Sequence, residues 1–189
     1  MPKSSNRQCK EDVNYMVIHR DIKFPRIEFK TGRPLIILPI GYRRQAEFFE
    51  KHRKWMRSKT QLIHNAAENS NEMRLEEGRT QANLEREVTQ LIYKYSKELL
   101  VNIARITFKK MRSKWASCSN KMNIALNTLL VYLPWYLVEY VVYHEMIHVF
   151  ERKHNGRFWR IIQKKFRQYK KYEKELLVYW IMVHKNQYV

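Results

Sequence analysis

Four residues in the stretch VVYHEMIHVFERKHNG (141–156) have types and spacing that could support chemistry: His144, Glu145, His148 and His154. Two imidazoles four positions apart lie on one face of a helix, one turn from each other, and can reach a single ion. Glu145 follows the first histidine, where a carboxylate can deprotonate a bound water instead of binding the ion. The spacing therefore predicts a zinc site with Glu145 as its general base.

A third ligand requires the chain to reverse direction. On a continuous helix His154 would lie about 9 Å further along the axis than His148, at a rise of about 1.5 Å per residue. We therefore expect the helix to end near residues 151–153, and Asn155-Gly156 is a turn signal at the right place. Three protein ligands leave a fourth tetrahedral position open, which is typical of catalytic zinc.

The helix that carries these groups is apolar on nearly every side over residues 135–150, which predicts that it is buried. Pro134 suits its start, because the missing N–H is not needed there. A second helix is predicted from about Gly156 to Lys171. The basic residues on its polar side could contact a substrate or hold phosphate groups near the metal; they are Arg157, Arg160 and Lys164.

The remaining elements predict an α+β fold. The β-rich runs are 15–19, 26–30 and 34–38 near the N-terminus and 102–111, 113–119 and 122–127 further along. We expect the first three to form a meander, and the run at 113–119 to pair with the run at 102–111. Helical spacing indicates helices at about 43–63 and 84–99. The acidic stretch at 65–81 is expected to be a connection or an exposed helix, and it is the best linker candidate.

The charge of the chain points to an anionic partner. Its 37 Lys and Arg residues against 18 Asp and Glu residues give a net charge of +19, more than solubility requires. Nucleic acid, nucleotide phosphates or an anionic surface would suit such a protein. A solvated basic surface without such a partner is the alternative.

Three further features predict a soluble, cytoplasmic protein. The polar residues 1–12 indicate a disordered lead-in and not a signal peptide. No uncharged apolar stretch approaches the length needed to span a membrane, so no membrane association is expected. Cys9 and Cys118 form no CxxC pair, so neither a disulfide framework nor a cysteine zinc site is expected.

Residues from about 105 to 165 resemble the YgjP-like family of zinc metallopeptidases, related to the WLM and SprT proteins. The family pattern runs R-x-W-G-S-C-S, I-x-L-N, P, Y-V-V-x-H-E-x-x-H-x5-H and F-W. Here it falls on Arg112, Lys114 to Ser119, Ile124, Leu126-Asn127, Pro134, Tyr140 to Val142, His144, Glu145, His148, His154 and Phe158-Trp159. The chain departs from the pattern at Ala116, where the family has glycine, and in NKMN, which lacks the usual turn glycine.

The resemblance implies a zincin-like α+β fold, with a small antiparallel or mixed sheet packed on helices and a buried HExxH helix. It implies His144, His148 and His154 as Zn²⁺ ligands and Glu145 as the general base. One domain is expected over 13–189, with N-terminal strands and a helix in 13–60 and the zinc-binding core in 80–171.

The leading interpretation is a zinc-dependent metallopeptidase acting on a protein or peptide substrate. Zinc would polarise the scissile carbonyl, and Glu145 would take a proton from the attacking water and pass it to the leaving amine. The SprT-related relatives act on DNA-bound proteins, and the basic surface would suit recruitment to nucleic acid.

Two alternatives stay open. The same site could hydrolyse nucleoside triphosphates, with the basic helix after His154 holding phosphates, although no glycine-rich phosphate loop is present. Alternatively, zinc could only staple a nucleic-acid-binding module, but such a site normally fills all four positions and gives Glu145 no purpose. Asn127 could hold its strand against the active-site helix or contact a substrate.

Overall fold

The computed structural model describes residues 14–30, 33–69 and 73–184; the predicted lead-in at 1–12, with Cys9, lies outside them. These residues contain two three-stranded mixed sheets and five α-helices, so the α+β class is confirmed. Residues 73–183 form one compact unit, and the earlier residues with His184 belong to another. Two such units can belong to one domain, so the single domain over 13–189 stays a prediction.

The first unit contains a mixed sheet and a long helix. Its elements are β1 (Met16–Arg20), β2 (Arg26–Lys30), β3 (Arg33–Pro39) and α1 (Gln45–Asn69). The strand order is β1-β3-β2, with β1 parallel and β2 antiparallel to β3, so the predicted meander is wrong. β3 takes the centre because its residues 34–38 are all buried, and an uninterrupted apolar run suits a strand bonded on both edges. Met56 of α1 packs with Ile36 and Leu38.

The second unit contains the residues that the sequence predicts to bind and use zinc. Its elements are α2 (Gln81–Leu99), β4 (Arg105–Lys109), β5 (Ala116–Cys118), β6 (Asn123–Asn127), a 3₁₀-helix (Thr128–Tyr132), α3 (Trp135–Ile147), α4 (Gly156–Lys165) and α5 (Tyr169–Val183). The hydroxyl of Thr80 caps α2 by accepting from the backbone N–H of Asn83. The apolar side of α2 then packs in the same core as α3. Within the described ranges, no helix combines the length and apolar character that a membrane crossing needs.

The second sheet has the order β4-β6-β5, so the predicted pairing of β5 with β4 is wrong. A tight turn decides this, because the N–H of Met122 donates to the carbonyl of Ser119 at 3.0 Å and joins β5 directly to β6. Met122 adopts a φ of 56°, a conformation that usually calls for glycine. The hairpin therefore forms without the family's turn glycine, and β4 pairs in parallel with the other edge of β6.

α3 is the buried helix that the sequence predicts. Pro134 is its N-cap, and nine of its thirteen residues are buried. The helix ends at Ile147, three residues earlier than predicted, with His148 as the C-cap. The next N–H groups bond three residues back, from Val149 to Met146 and from Phe150 to Ile147, so the chain tightens and turns away from the helix axis.

The helix predicted from Gly156 to Lys171 is in fact two helices. α4 ends at Lys165, and Phe166 has left the helical region with φ −118° and ψ 82°. Its ring lies edge-on to Tyr140 and Tyr143, with centroids 5.4 and 5.5 Å away. Because this contact draws Phe166 towards α3, the chain bends there and continues as α5.

Candidate metal centre

The end of α3 and the start of α4 bring three histidines together. The Nε2 atoms of His144 and His154 lie 2.9 Å apart, and one ring nitrogen from each of His144, His148 and His154 falls within 4.8 Å of the others. The chain does turn back after α3, as the sequence predicts.

The residues after His154 hold it in place. The Asn155 side chain caps α4 by accepting from the N–H groups of Arg157 and Phe158, each at 3.0 Å. The indole N–H of Trp159 donates to the carbonyl of His154 at 3.1 Å. The buried Phe158 ring lies below the cluster, with its centroid 4.7 to 4.8 Å from each imidazole centroid.

The other ring nitrogens of two histidines face fixed partners. Nδ1 of His148 donates to the carbonyl of Glu151 at 2.9 Å. Nδ1 of His144 lies 3.7 Å from a carboxylate oxygen of Glu173, and the Tyr140 hydroxyl donates to that oxygen at 2.5 Å. Such partners fix the tautomer and orientation of ligating histidines and leave Nε2 for a metal. Glu173 carried no signal in the sequence, because it lies on α5, outside the histidine motif.

Burial favours the neutral form of all three imidazoles. Burial, with smaller contributions from His148 and His154, lowers the pKa of His144 to about 3. Burial is also the main cause that lowers the pKa of His148 and that of His154. A neutral imidazole keeps the lone pair that a metal needs.

The donor set fits a divalent transition metal. Zinc–nitrogen bonds of about 2.0–2.1 Å place two ligand nitrogens roughly 3.3 Å apart at a tetrahedral angle. The nitrogens of His144, His148 and His154 span this distance, so small side-chain rotations would bring them onto one ion. Imidazole suits zinc, copper, iron and nickel.

Glu145 is buried beside the histidines, with 9% of its surface exposed. Burial raises the pKa of its carboxyl to about 7, although the backbone N–H of Cys118 donates to it and the charge of Lys114 lies nearby, both of which oppose the shift. A carboxyl group with a pKa near neutrality can both accept and release a proton at physiological pH.

A cavity of about 380 Å³ opens in front of these groups. Its lining consists of Lys114, Ala116, Ser117, Cys118, Asn120, Glu145, His148, Arg152 and His154. The cations in this wall are thus Lys114 and Arg152, which sequence reasoning did not single out. Lys114 was visible only as part of the family motif.

The structure does not bring the predicted substrate contacts to this cavity. The basic residues of α4 are exposed and absent from its lining; they are Arg157, Arg160 and Lys164. Asn127 is fully buried. Their contact with a substrate stays a prediction.

Asn127 instead fastens the connection that carries Lys114. Its Nδ2 donates to the carbonyls of Met111 and Lys114 at 3.0 and 2.9 Å. Its Oδ1 accepts from the N–H groups of Leu129 at 3.1 Å and Met111 at 3.3 Å. The side chain therefore ties residues 110–115 to the end of β6.

Comparison with known proteins agrees with these observations. Residues 77–178 match the family model described as YgjP-like, metallopeptidase domain, whereas no curated protein matches the chain. Among solved structures, the chain is similar to the crystal structure of the metallopeptidase zymogen of Pyrococcus abyssi abylysin. The identity is 23% and the TM-score 0.38, over 42% of this chain and 79% of that one. The family match spans more than half of the chain and contains the whole histidine cluster, so the protein belongs to the YgjP-like metallopeptidase family.

Proposed function

We propose that the protein is a zinc-dependent, zincin-like metallopeptidase in which His144, His148 and His154 hold the ion and Glu145 moves the protons. The observation that carries the proposal is the convergence of three neutral imidazoles beside a buried carboxyl at an open cavity. Membership of the metallopeptidase family supports peptide-bond hydrolysis as the reaction.

Zinc is the metal that this donor set suits best for hydrolysis. In the part of the chain that the structure describes, the cluster contains three histidines and no fourth ligand. Such a set leaves one position open, which is the usual arrangement of catalytic zinc. When bound, zinc would act as a Lewis acid towards the scissile carbonyl and the attacking water.

Glu145 performs the proton transfers. Its carboxylate accepts a proton from the attacking water and then delivers this proton to the leaving nitrogen. The N–H of Cys118 and the ammonium of Lys114 favour the ionised form and so offset part of the cost of burial. Phe158 excludes water from the far side of the histidines.

A nucleoside triphosphate hydrolase is the second candidate. Lys114 and Arg152 in the cavity wall favour it, because Lys and Arg both bind phosphate groups well.

The test compares the zinc-loaded wild type with Glu145→Gln and with Glu77→Gln, which removes an exposed carboxylate from the same unit. Each protein is given an unfolded protein substrate and a panel of nucleoside triphosphates, and its zinc content is measured. We expect Glu145→Gln to lose activity on the protein substrate by about 10²- to 10⁴-fold. It should keep its zinc, and Glu77→Gln should match the wild type.

Three results would contradict the proposal. Release of phosphate or pyrophosphate by the wild type alone, without peptide cleavage, would favour the nucleotide hydrolase. Full function of Glu145→Gln would favour a zinc-stapled nucleic-acid-binding module. Activity that does not return when zinc is restored to the chelated protein would exclude zinc as the working metal.

A further inference from the structure

A second concavity covers one face of the β4-β6-β5 sheet beside the metal centre; we call it the cationic sheet face. Its volume is about 430 Å³, and its lining is Arg105, Thr107, Lys109, Lys114, Ser117, Cys118, Ser119, Asn123, Ile124 and Ala125. It shares Lys114, Ser117 and Cys118 with the cavity at the histidines. The two concavities therefore form one continuous surface.

Strand alternation gives this face its cationic rim. Ile106 and Phe108 of β4 pack against the core, so the alternate residues Arg105, Thr107 and Lys109 lie on the opposite side, where all three are exposed.

Small side chains form the floor between the cations. The register aligns Thr107 with Ala125, and Ala125 with Ser117, in one row across the three strands. Short side chains in this row leave room for an extended chain to lie over the sheet.

Two cations on this face have no acidic partner. Three cations, Arg105, Lys109 and Lys114, line it, and no acidic residue does. In the described ranges, Arg105 and Lys109 form no ion pair, whereas the charge of Lys114 lies near Glu145. An anionic partner would therefore gain charge pairs with Arg105 and Lys109 without breaking existing ones.

The sheet geometry relates these charges to the reaction site. The backbone N–H of Cys118 in β5 donates to Glu145, so β5 borders the reaction site; β4 lies two strands away, or about 10 Å at about 4.8 Å per strand. An extended peptide covers that distance in about three residues, at about 3.3 Å each. A side chain three or four residues from the scissile bond would therefore reach Arg105 or Lys109.

We propose that the cationic sheet face is the specificity subsite of the peptidase and selects substrates with acidic side chains three or four residues from the scissile bond. The proposal rests on the proposed peptidase function. A peptide fits better than single-stranded nucleic acid, because the lining contains no aromatic ring on which bases could stack.

The test uses two fluorogenic peptides that differ only in Glu or Gln at the third and fourth positions from the scissile bond. The wild type is compared with the double variant Arg105→Gln/Lys109→Gln. The control is Arg167→Gln/Lys170→Gln, which removes the same charge from exposed positions outside both concavities.

We expect the wild type to prefer the Glu peptide in kcat/KM. The variant should lose about 10-fold on that peptide and stay within about twofold of the wild type on the Gln peptide. Arg105→Glu/Lys109→Glu should instead favour a peptide with Lys at these positions. If the wild type cleaves both peptides at equal, measurable rates, or if the variant loses equally on both, the proposal is overturned.

A binding measurement tests the subsite independently of peptidase activity. The labelled Glu peptide is titrated into zinc-loaded Glu145→Gln protein, with and without the double substitution at Arg105 and Lys109, so that no turnover is needed. Weaker binding caused by that substitution supports the acidic-peptide subsite even if the wild type cleaves no peptide. If the substitution weakens binding of a single-stranded oligonucleotide but not of the peptide, the face is a nucleic-acid surface and the proposal fails.

Discussion

His144 has two ring nitrogens with separate environments. Nε2 faces the other histidines, and Nδ1 faces Glu173, which the Tyr140 hydroxyl holds in turn. A carboxylate behind a ligating imidazole raises its basicity and fixes its orientation. The affinity of the site for a metal should therefore depend on a residue of α5 that does not touch the ion.

Replacing Glu173 tests this dependence. We expect Glu173→Gln to weaken zinc binding by about 10- to 100-fold, as measured by competition with a chromogenic chelator. The control is Glu175→Gln on the same helix, where the carboxylate accepts a hydrogen bond from the Tyr136 hydroxyl. An unchanged affinity of Glu173→Gln, or an equal loss in the control, would contradict this role.

Glu145 makes the stability of the metal-free protein depend on pH. Burial raises its pKa from 4.5 to about 7, so between these values the folded protein keeps a proton that the unfolded chain has released. Stability therefore falls as pH rises through this window, by up to roughly 3 kcal/mol at about 1.4 kcal/mol per pKa unit.

The variant Glu145→Gln lacks this proton and should lack this loss of stability. We therefore expect Glu145→Gln to be more stable, relative to the wild type, at pH 8 than at pH 5. Urea denaturation of the metal-free proteins measures both differences. Equal differences at the two pH values would show that Glu145 ionises normally in the folded protein.

At the scale of elements, one buried amide holds the connection between β4 and β5. Asn127 satisfies backbone groups of Met111, Lys114 and Leu129, in a part of the chain that has no regular hydrogen-bond ladder. Because the connection carries Lys114 to the cavity wall, Asn127 acts on the site through the backbone.

Removing this amide should destabilise the second unit. We expect Asn127→Ala to cost about 3 kcal/mol in the free energy of unfolding, because buried N–H and carbonyl groups lose their partners. Thermal and urea denaturation measure the loss, with the exposed Asn102→Ala as control. A loss below about 1 kcal/mol would mean that water replaces the amide.

At the scale of the whole molecule, most buried hydrophobic residues of the described ranges fall into two clusters. One contains Ile36, Leu38 and Met56, and the other lies entirely within the unit from Met73 to Val183. All residues of the proposed zinc site belong to this second unit. The recruitment to nucleic acid and the cytoplasmic location expected from the sequence stay predictions.

A fragment of residues 73–183 tests how independent this unit is. We expect it to unfold cooperatively and to bind zinc with the affinity of the full chain, because its core and all proposed ligands are its own. Circular dichroism and chelator competition measure both properties. A fragment that does not fold would instead favour the single domain predicted over 13–189.

The sequence alone determined the features that depend on neighbouring residues. The spacing of His144 and His148, the apolar character of α3 and the turn signal at Asn155-Gly156 are local, and each predicted its feature. The positions of the strands and of α2 followed for the same reason, since periodicity reflects which side of an element is buried. Helix ends were less accurate, as at Ile147, because capping and tightening of the last turn depend on the surrounding structure.

Only the tertiary structure decided which distant residues meet. β6 lies between β4 and β5 because a tight turn uses one edge of β6, and the bend at Phe166 follows from its contact with α3. The same holds for Glu173 behind His144 and for Lys114 in the cavity wall. These contacts join residues far apart in the chain, and local periodicity carries no information about which faces will oppose each other after folding.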